Sequence, residues 1–338
     1  MKNKILFLLT CLFCWVNLSQ AGFMDLGAGG RPLGMGHAFV GLANDVNAVY
    51  YNPAGLIQIR KVEFSFMYAP LFLGLTDGSN ITDYYGAYAQ PLDKNSAVGG
   101  AWIGRSLVGP GYTAGEMLYQ ENMFYASYAR RIIEKLTVGI SLKIPYRQYG
   151  ADAYNTTYGV GDDGQANKGQ DTTFANGYSK IGVSFDAGVL YELTKNISVG
   201  VMLQDFYSTN LALSSTENDS TSDRIPFNIK AGVGCKIPKL AGIDEVVFAA
   251  DVAYRLGGGL RNDLKCHLGG EAWFMIKSVA VRGGFGIGGN GYSDFSLGGS
   301  YVFIGVPEIQ IDYAWVYPLG GAANATSGNH RFSCVIRL

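Results

Sequence analysis

From Lys61 to Leu338 the chain runs as segments of roughly ten residues in which apolar and polar side chains alternate, parted by turn-rich breaks. Period two is the spacing of a β-strand whose two faces meet different surroundings. Lipid on one face and a polar lumen on the other demand that alternation, whereas a spanning helix needs about twenty consecutive apolar residues. No such run follows the N-terminus. The pattern predicts an all-β chain, an antiparallel transmembrane β-barrel.

The fifth segment shows the alternation most clearly. Leu136, Val138, Ile140, Leu142 and Ile144 form one phase, and Thr137, Gly139, Ser141 and Lys143 form the other. The outward phase is read as Phe64, Phe66 and Tyr68 in the first strand, Ile81 to Ala89 in the second, Val98 to Trp102 in the third and Tyr119 to Tyr125 in the fourth. Further strands are expected around Ile181 to Tyr191, Ile197 to Leu203, Ile225 to Cys235, Val246 to Tyr254 and Leu264 to Phe274. Val279 to Ile287, Phe295 to Phe303, Ile309 to Tyr317 and Phe332 to Leu338 complete the set. The total is about fourteen, an even number, as in bacterial single-chain barrels.

Connection lengths agree with this count. Leu92 to Ser96, Arg131 to Lys135 and Leu193 to Asn196 are short, while Leu107 to Leu118, Gly150 to Gly177 and Ser208 to Asp223 are long. Short periplasmic turns and long extracellular loops mark a bacterial outer-membrane barrel, with both termini on the short-turn side. Asp162-Asp163-Gly164 in the longest loop lacks the spaced acids and closing glutamate of an EF-hand, and is read as solvated loop.

Residues 1–21 read as an export signal. Lys2 and Lys4 precede an apolar stretch from Ile5 to Val16, too short to span a bilayer, and Ser19-Gln20-Ala21 places small residues before a cut after Ala21. The formal charge of −1 drops by two once Lys2 and Lys4 leave, which gives no reason to expect a nucleic-acid partner. The 22 tyrosines suit the interfacial girdles of a barrel, and the 47 glycines suit its turns and crowded strands. Cys235, Cys266 and Cys334 fall in the apolar phase of separate strands and read as small lipid-facing side chains, neither disulfides nor metal ligands.

Residues 22–60 do not alternate and read as a compact hatch ahead of the barrel, residues 61–338. Pro32 suits a first helical position, and Met35, Phe39 and Leu42 form an apolar stripe at helical spacing. Gly34, His37, Gly41 and Asn44 form a mostly small second face. Asn44 or Asp45 can cap a second short turn through Val49 and Tyr50, and Asn52-Pro53-Ala54-Gly55 has the residue order of a type I turn. A barrel of about fourteen strands is too wide for its wall side chains to fill, so this element is read as a plug.

The stretch Arg31-Pro-Leu-Gly-Met-Gly-His-Ala-Phe-Val-Gly-Leu-Ala-Asn-Asp-Val-Asn-Ala-Val-Tyr-Tyr-Asn-Pro-Ala-Gly-Leu56 resembles the N-terminal motif of the PorV/PorQ family of outer-membrane proteins. That family is similar in turn to FadL-type transporters of long-chain fatty acids, with which it shares the Asn-Pro-Ala-Gly element. Within this motif Arg31, Gly34, Met35, Gly36, His37, Asn44, Asp45, Asn52, Pro53, Ala54 and Gly55 are the candidate hatch residues. The resemblance implies a fourteen-stranded barrel with an N-terminal hatch. His37 stands where the family has a small residue, and Asn44-Asp45 where it has an acid pair.

Three function classes follow. PorV-like proteins serve type IX secretion, so the resemblance first implies a non-enzymatic component that binds a translocon or the C-terminal domains of exported cargo. A FadL-like transporter of hydrophobic small molecules is the alternative, with hatch movement as the gate. The inward phase, however, carries Lys143, Arg147, Asp186, Lys230, Asp251, Arg255, Lys265, His267, Glu271, Arg282 and Asp312. Of these, Asp186, Lys230, Asp251, Lys265, His267, Glu271, Arg282 and Asp312 are the candidate lumen network, which fits a plug clasped by charge better than a greasy tunnel. An enzyme is the third class and has little behind it. His37, His267 and His330 have no metal-ligand spacing, no nucleophile elbow occurs, and no cofactor is expected.

Overall fold

A computed structural model describes residues 23, 27–75, 78–109, 117–150, 177–213, 223–256, 263–289, 291–320 and 326–338. The expected export signal and the Asp162-Asp163-Gly164 loop lie outside the described residues. The barrel strands are β1 (Glu63–Leu71), β2 (Asn80–Pro91), β3 (Ser96–Val108), β4 (Met117–Ile133) and β5 (Leu136–Tyr149). β6 (Ser179–Ile181), β7 (Ser184–Glu192), β8 (Ile197–Ser208), β9 (Phe227–Leu240) and β10 (Ile243–Leu256) follow. β11 (Asp263–Phe274), β12 (Val279–Gly288), β13 (Ser293–Phe303), β14 (Glu308–Pro318) and β15 (Asn329–Arg337) complete the wall.

Every pairing is antiparallel, and the sheet closes where β1 meets β15, from Glu63 opposite Arg337 to Tyr68 opposite Phe332. Closure leaves no strand edge, the condition for placing a sheet in hydrocarbon. β6 and β7 both pair with β5 and occupy one position in the wall, so the barrel has fourteen staves. Pro145 on β5, which has no N–H, sits where they part. Gly182 N donates to Pro145 O at 2.9 Å, and Thr209 satisfies Val183 on both sides of its peptide, at 3.0 Å each.

Burial separates the two solvents. Ser65, Asp83, Ser141 and Asp186 are fully buried on the inner face, while Phe66, Phe248, Leu268 and Val281 are more than half exposed on the outer one. In β5 the two phases lie as read from the sequence. β2 and β4 require a correction. Tyr84, Phe124 and Tyr128 face outward, whereas Tyr85, Met123 and Tyr125, from the phase read as lipid-facing, are buried inside. Aromatic residues fill both phases of these strands, and what marks the inner one is Asp83 in β2 and Glu121 in β4, both buried; inside, Tyr125 packs on Tyr50 of the hatch with ring centres 6.0 Å apart. Cys235, Cys266 and Cys334 are free thiols on the outer face.

Residues 27–59 are buried inside the barrel as helix α1 (Gly30–Gly34), helix α2 (Ala48–Tyr51) and a 3-10 turn η1 (Pro53–Gln58). The helical spacing from Pro32 to Leu42 is not realised as one helix, which stops at Gly34. Gly36 and His37 take φ of 63° and 68°, left-handed values that no right-handed helix accommodates. The wall imposes this break, since Gly36 N donates to Ser296 Oγ at 2.9 Å and the backbones touch. Met35, Phe39 and Leu42 are nevertheless all fully buried in one core. Asn52 caps η1 by accepting from Ala54 N at 3.1 Å, so the expected turn at Asn52-Pro53-Ala54-Gly55 opens the 3-10 turn.

Wall glycines let the hatch dock. A Cβ on Gly284 would stand 2.1 Å from Gly36 N, and one on Gly269 would stand 2.2 Å from Met35 O, both backbone atoms that have nowhere to move. Gly284→Leu is therefore expected to wedge the hatch off the wall. Single-channel conductance should rise, while the neighbouring outward substitution Gly270→Leu, whose nearest atom is 3.7 Å away, leaves it unchanged. Equal conductance in both variants would show that these glycines do not set the hatch position.

Candidate functional site

The hatch and the wall meet through charge. Arg31, at the start of α1, forks onto Glu271 of β11 with Nε–Oε2 and Nη2–Oε1 distances of 2.9 and 2.8 Å. Its Nη1 donates to Asn44 Oδ1 and Asp45 Oδ2, each at 2.9 Å, which ties two parts of the hatch to one wall carboxylate. Arg282 of β12 donates to Glu271 at 2.5 Å and to Asp312 Oδ1 of β14 at 3.1 Å. Neutral donors complete Asp312: Ser300, Gln310 at 2.7 Å and Ser333. Ser333 also accepts from Gly30 N at 3.0 Å. Burial works against the Arg31 charge, but Glu271 and Asp45 outweigh it and hold the guanidinium above its usual pKa.

Backbone contacts extend the clasp. Asp251 Oδ2 on β10 accepts from Phe39 N at 2.6 Å and Val40 N at 2.8 Å. Glu63 of β1 accepts from Val46 N at 2.9 Å, and Asn52 Nδ2 donates to the carbonyls of Val40 and Val189. Charge-assisted bonds of this kind are short and about twice as strong as neutral ones. Pro53 and Ala54 press on Gly139 of β5, and Gly55 lies against Ala43 within the hatch.

The remaining lumen charges stand elsewhere. Asp186 belongs to a wall cluster in which Lys143 Nζ lies 3.1 Å from it and 2.6 Å from Asp205. Asp205 has a φ of 56° in a bulge of β8, held by its N–H donating to Asp186 Oδ1 at 2.7 Å. Lys230, Lys265 and His267 line a chamber of about 300 Å³ between the hatch and the long-loop end of the barrel. Its floor includes His37, Val40 and Tyr51, and the His37 and His267 ring centres are 5.4 Å apart. Lys265 Nζ lies 4.3 Å from the Tyr292 ring centre and 3.4 Å from Asp263.

Sequence reading missed Glu63, Asp205 and the cluster in which Arg105 forks onto Asp83 at 2.7 and 3.0 Å. It also left out Arg331, which lines the chamber from β15. Glu63, Arg105 and Arg331 were signalled as charges in the inward phase, whereas Asp83 and Asp205 fall in phases read as outward, Asp205 being turned inward by the bulge of β8. No group of His, Cys, Asp and Glu able to hold a metal occurs among the described residues.

Known structures share this fold. The Pseudomonas putida toluene transporter TodX superposes with a TM-score of 0.61 at 13% identity, over 95% of this chain and 98% of that one. A Pseudomonas aeruginosa FadL homologue gives 0.61 at 13%, over 94% and 99%. The Ralstonia pickettii toluene transporter TbuX gives 0.59 at 16%, over 93% and 98%. The fold is that of the FadL-type outer-membrane barrels. A closed barrel of this fold belongs in the bacterial outer membrane, with its apolar outer face in lipid. No protein-family profile matches the chain, and no curated protein does. The likeness of the hatch motif to PorV/PorQ therefore rests on its residues alone.

Proposed function

We propose that this FadL-type barrel is a channel for small organic molecules, which enter the chamber from the long-loop side and cross when the hatch shifts. The observation that carries this reading is the chamber itself. It combines an apolar side, with Val40, Tyr51, Phe72, Val316 and Pro318, and a charged side, the mixture that orients a small ligand. Its floor is the hatch, so a ligand resting there touches the element that would have to move. Resemblance of the fold to toluene transporters and to a FadL homologue supports the same reading. Secretion-linked binding of a translocon or of cargo C-terminal domains has only the hatch motif behind it, and takes second place.

A native pull-down from solubilised outer membranes, followed by mass spectrometry of proteins, lipids and small molecules, separates the two readings. The barrel is expected to arrive without protein partners and with a small organic molecule. Recovery of a very large translocon barrel, or of secreted proteins sharing a C-terminal domain, would overturn the channel reading.

A further inference from the structure

Three neighbouring turns at the short-turn end of the barrel are laced together. Arg131 N, near the end of β4, donates to Asn95 O of the β2–β3 turn at 2.8 Å, and Glu192 N, at the end of β7, donates to Lys135 O of the β4–β5 turn at 2.8 Å. The surface they share is apolar and cationic at once. Leu92, Ile132, Ile133 and Leu193 are each more than half exposed. Lys94, Arg130, Arg131, Lys135 and Lys195 stand among them against Asp93, Glu134 and Glu192, two cations in excess. Glu192 is paired with Arg131 at 3.4 Å, and Asp93 accepts from Ser96 Oγ and Asn95 N at 2.6 Å each. Across the barrel the turns are balanced, with Lys277 on Glu245 and Arg337 on Glu308, each at 2.7 Å.

Arg130 decides what approaches this surface. It is exposed in the outward phase of β4, after Phe124, Ala126 and Tyr128 and before Ile132, and stands opposite Val138 of β5. A partner that meets this phase comes from the lipid side. An arginine on the lipid face is costly at the midplane and tolerated at the interface, where its stem lies along apolar side chains and its guanidinium reaches the headgroups. The carboxylate that acts on it is Asp93, which its own turn already engages. We infer that this side of the barrel, from β3 to β7, is a docking surface for an anionic phospholipid of the periplasmic leaflet. The phosphate takes the fork of Arg130 with Lys94 and Lys135 nearby, and an acyl chain lies along Tyr128 and Val138. Arginine suits that partner, because its planar donors match phosphate oxygens two at a time. Exposed apolar residues interspersed with cations fit the boundary between acyl chains and anionic headgroups.

The test places the barrel in nanodiscs of equal phosphatidylglycerol and phosphatidylcholine and counts the lipids it retains by native mass spectrometry. Phosphatidylglycerol is expected to be retained over phosphatidylcholine by about fivefold or more, the worth of one basic residue at an anionic surface. Arg130→Gln should remove most of that preference, and Arg130→Lys, which keeps the charge without the fork, should keep part of it. Lys277→Gln, on the balanced side, should leave it unchanged. Native folding of each variant is read from the mobility of the unheated barrel in gels. If Arg130→Gln misfolds, Lys94→Gln combined with Lys135→Gln, both in exposed turns, should lower the preference in its place. Soluble glycerol phosphate, the headgroup without its chains, should not displace the retained lipid. Equal retention of the two lipids would overturn the inference, as would a preference that neither Arg130→Gln nor the turn pair alters. Displacement by glycerol phosphate would overturn the assignment to lipid.

Discussion

Deleting residues 27–59 is expected to convert a closed barrel into an open, water-filled pore that still inserts and keeps its strands. The wall is self-sufficient in backbone hydrogen bonds, since each strand pairs with its chain neighbours and β1 pairs with β15. None of those ladders runs through the hatch. What the deletion removes is a buried core including Leu33, Phe39, Leu42 and Leu56, and the partners of Glu271, Asp251 and Glu63. Water entering the lumen can solvate those carboxylates, so their loss of partners does not condemn the barrel. Planar-bilayer recording is the check. Conductance at the wild-type level in an inserted, deleted barrel would mean that something other than the hatch closes the lumen.

Replacing Arg31 by Met should loosen the hatch without expelling it. The substitution leaves Asp45 without its cation and Glu271 with Arg282 alone, in a site where Glu271 has no exposed side-chain surface. Removing one member of a buried ion pair costs about 3–5 kcal/mol. Against that, each fully buried Leu or Phe of the hatch contributes about 1.5–3 kcal/mol, and several are present. Burial is the larger total, so the expected result is intermittent opening: flickering conductance and faster amide exchange at Gly36 to Val46, with strand amides unaffected. Arg31→Lys should restore only part of the protection, because a single ammonium does not reproduce the fork onto Glu271. Arg31→Met combined with Glu271→Leu should be milder than the sum of the two, since it removes both charges of the contact. Additive costs would show that the two residues act apart.

The two resemblances point to related barrels by different routes. The hatch motif resembles PorV/PorQ, while the fold superposes on hydrocarbon transporters at 13–16% identity. Identity that low carries the fold and leaves the cargo open. The charged side of the chamber distinguishes this lumen from a purely greasy one.

The sequence by itself determined the barrel, its strands and its two faces wherever one phase was polar. In β5, Thr137, Ser141 and Lys143 against Val138, Ile140 and Leu142 leave a single orientation, because lipid accepts only one of the two sets. It also marked the inward charges, since an ionisable residue in a membrane strand must face the lumen. Tertiary structure alone decided the rest. In β2 and β4 aromatic residues occupy both phases and a single acid each, Asp83 and Glu121, marks the inner one, where the hatch supplies Tyr50 as the packing partner of Tyr125. Helical spacing predicted a longer helix after Pro32, but docking against Ser296 and Gly284 forced the left-handed turn at Gly36 and His37. Which charges pair, and that Arg331 faces a chamber, depends on distances between strands far apart in the chain. Alternation records what each residue faces, solvent by solvent; it holds no record of which residue stands opposite across the lumen.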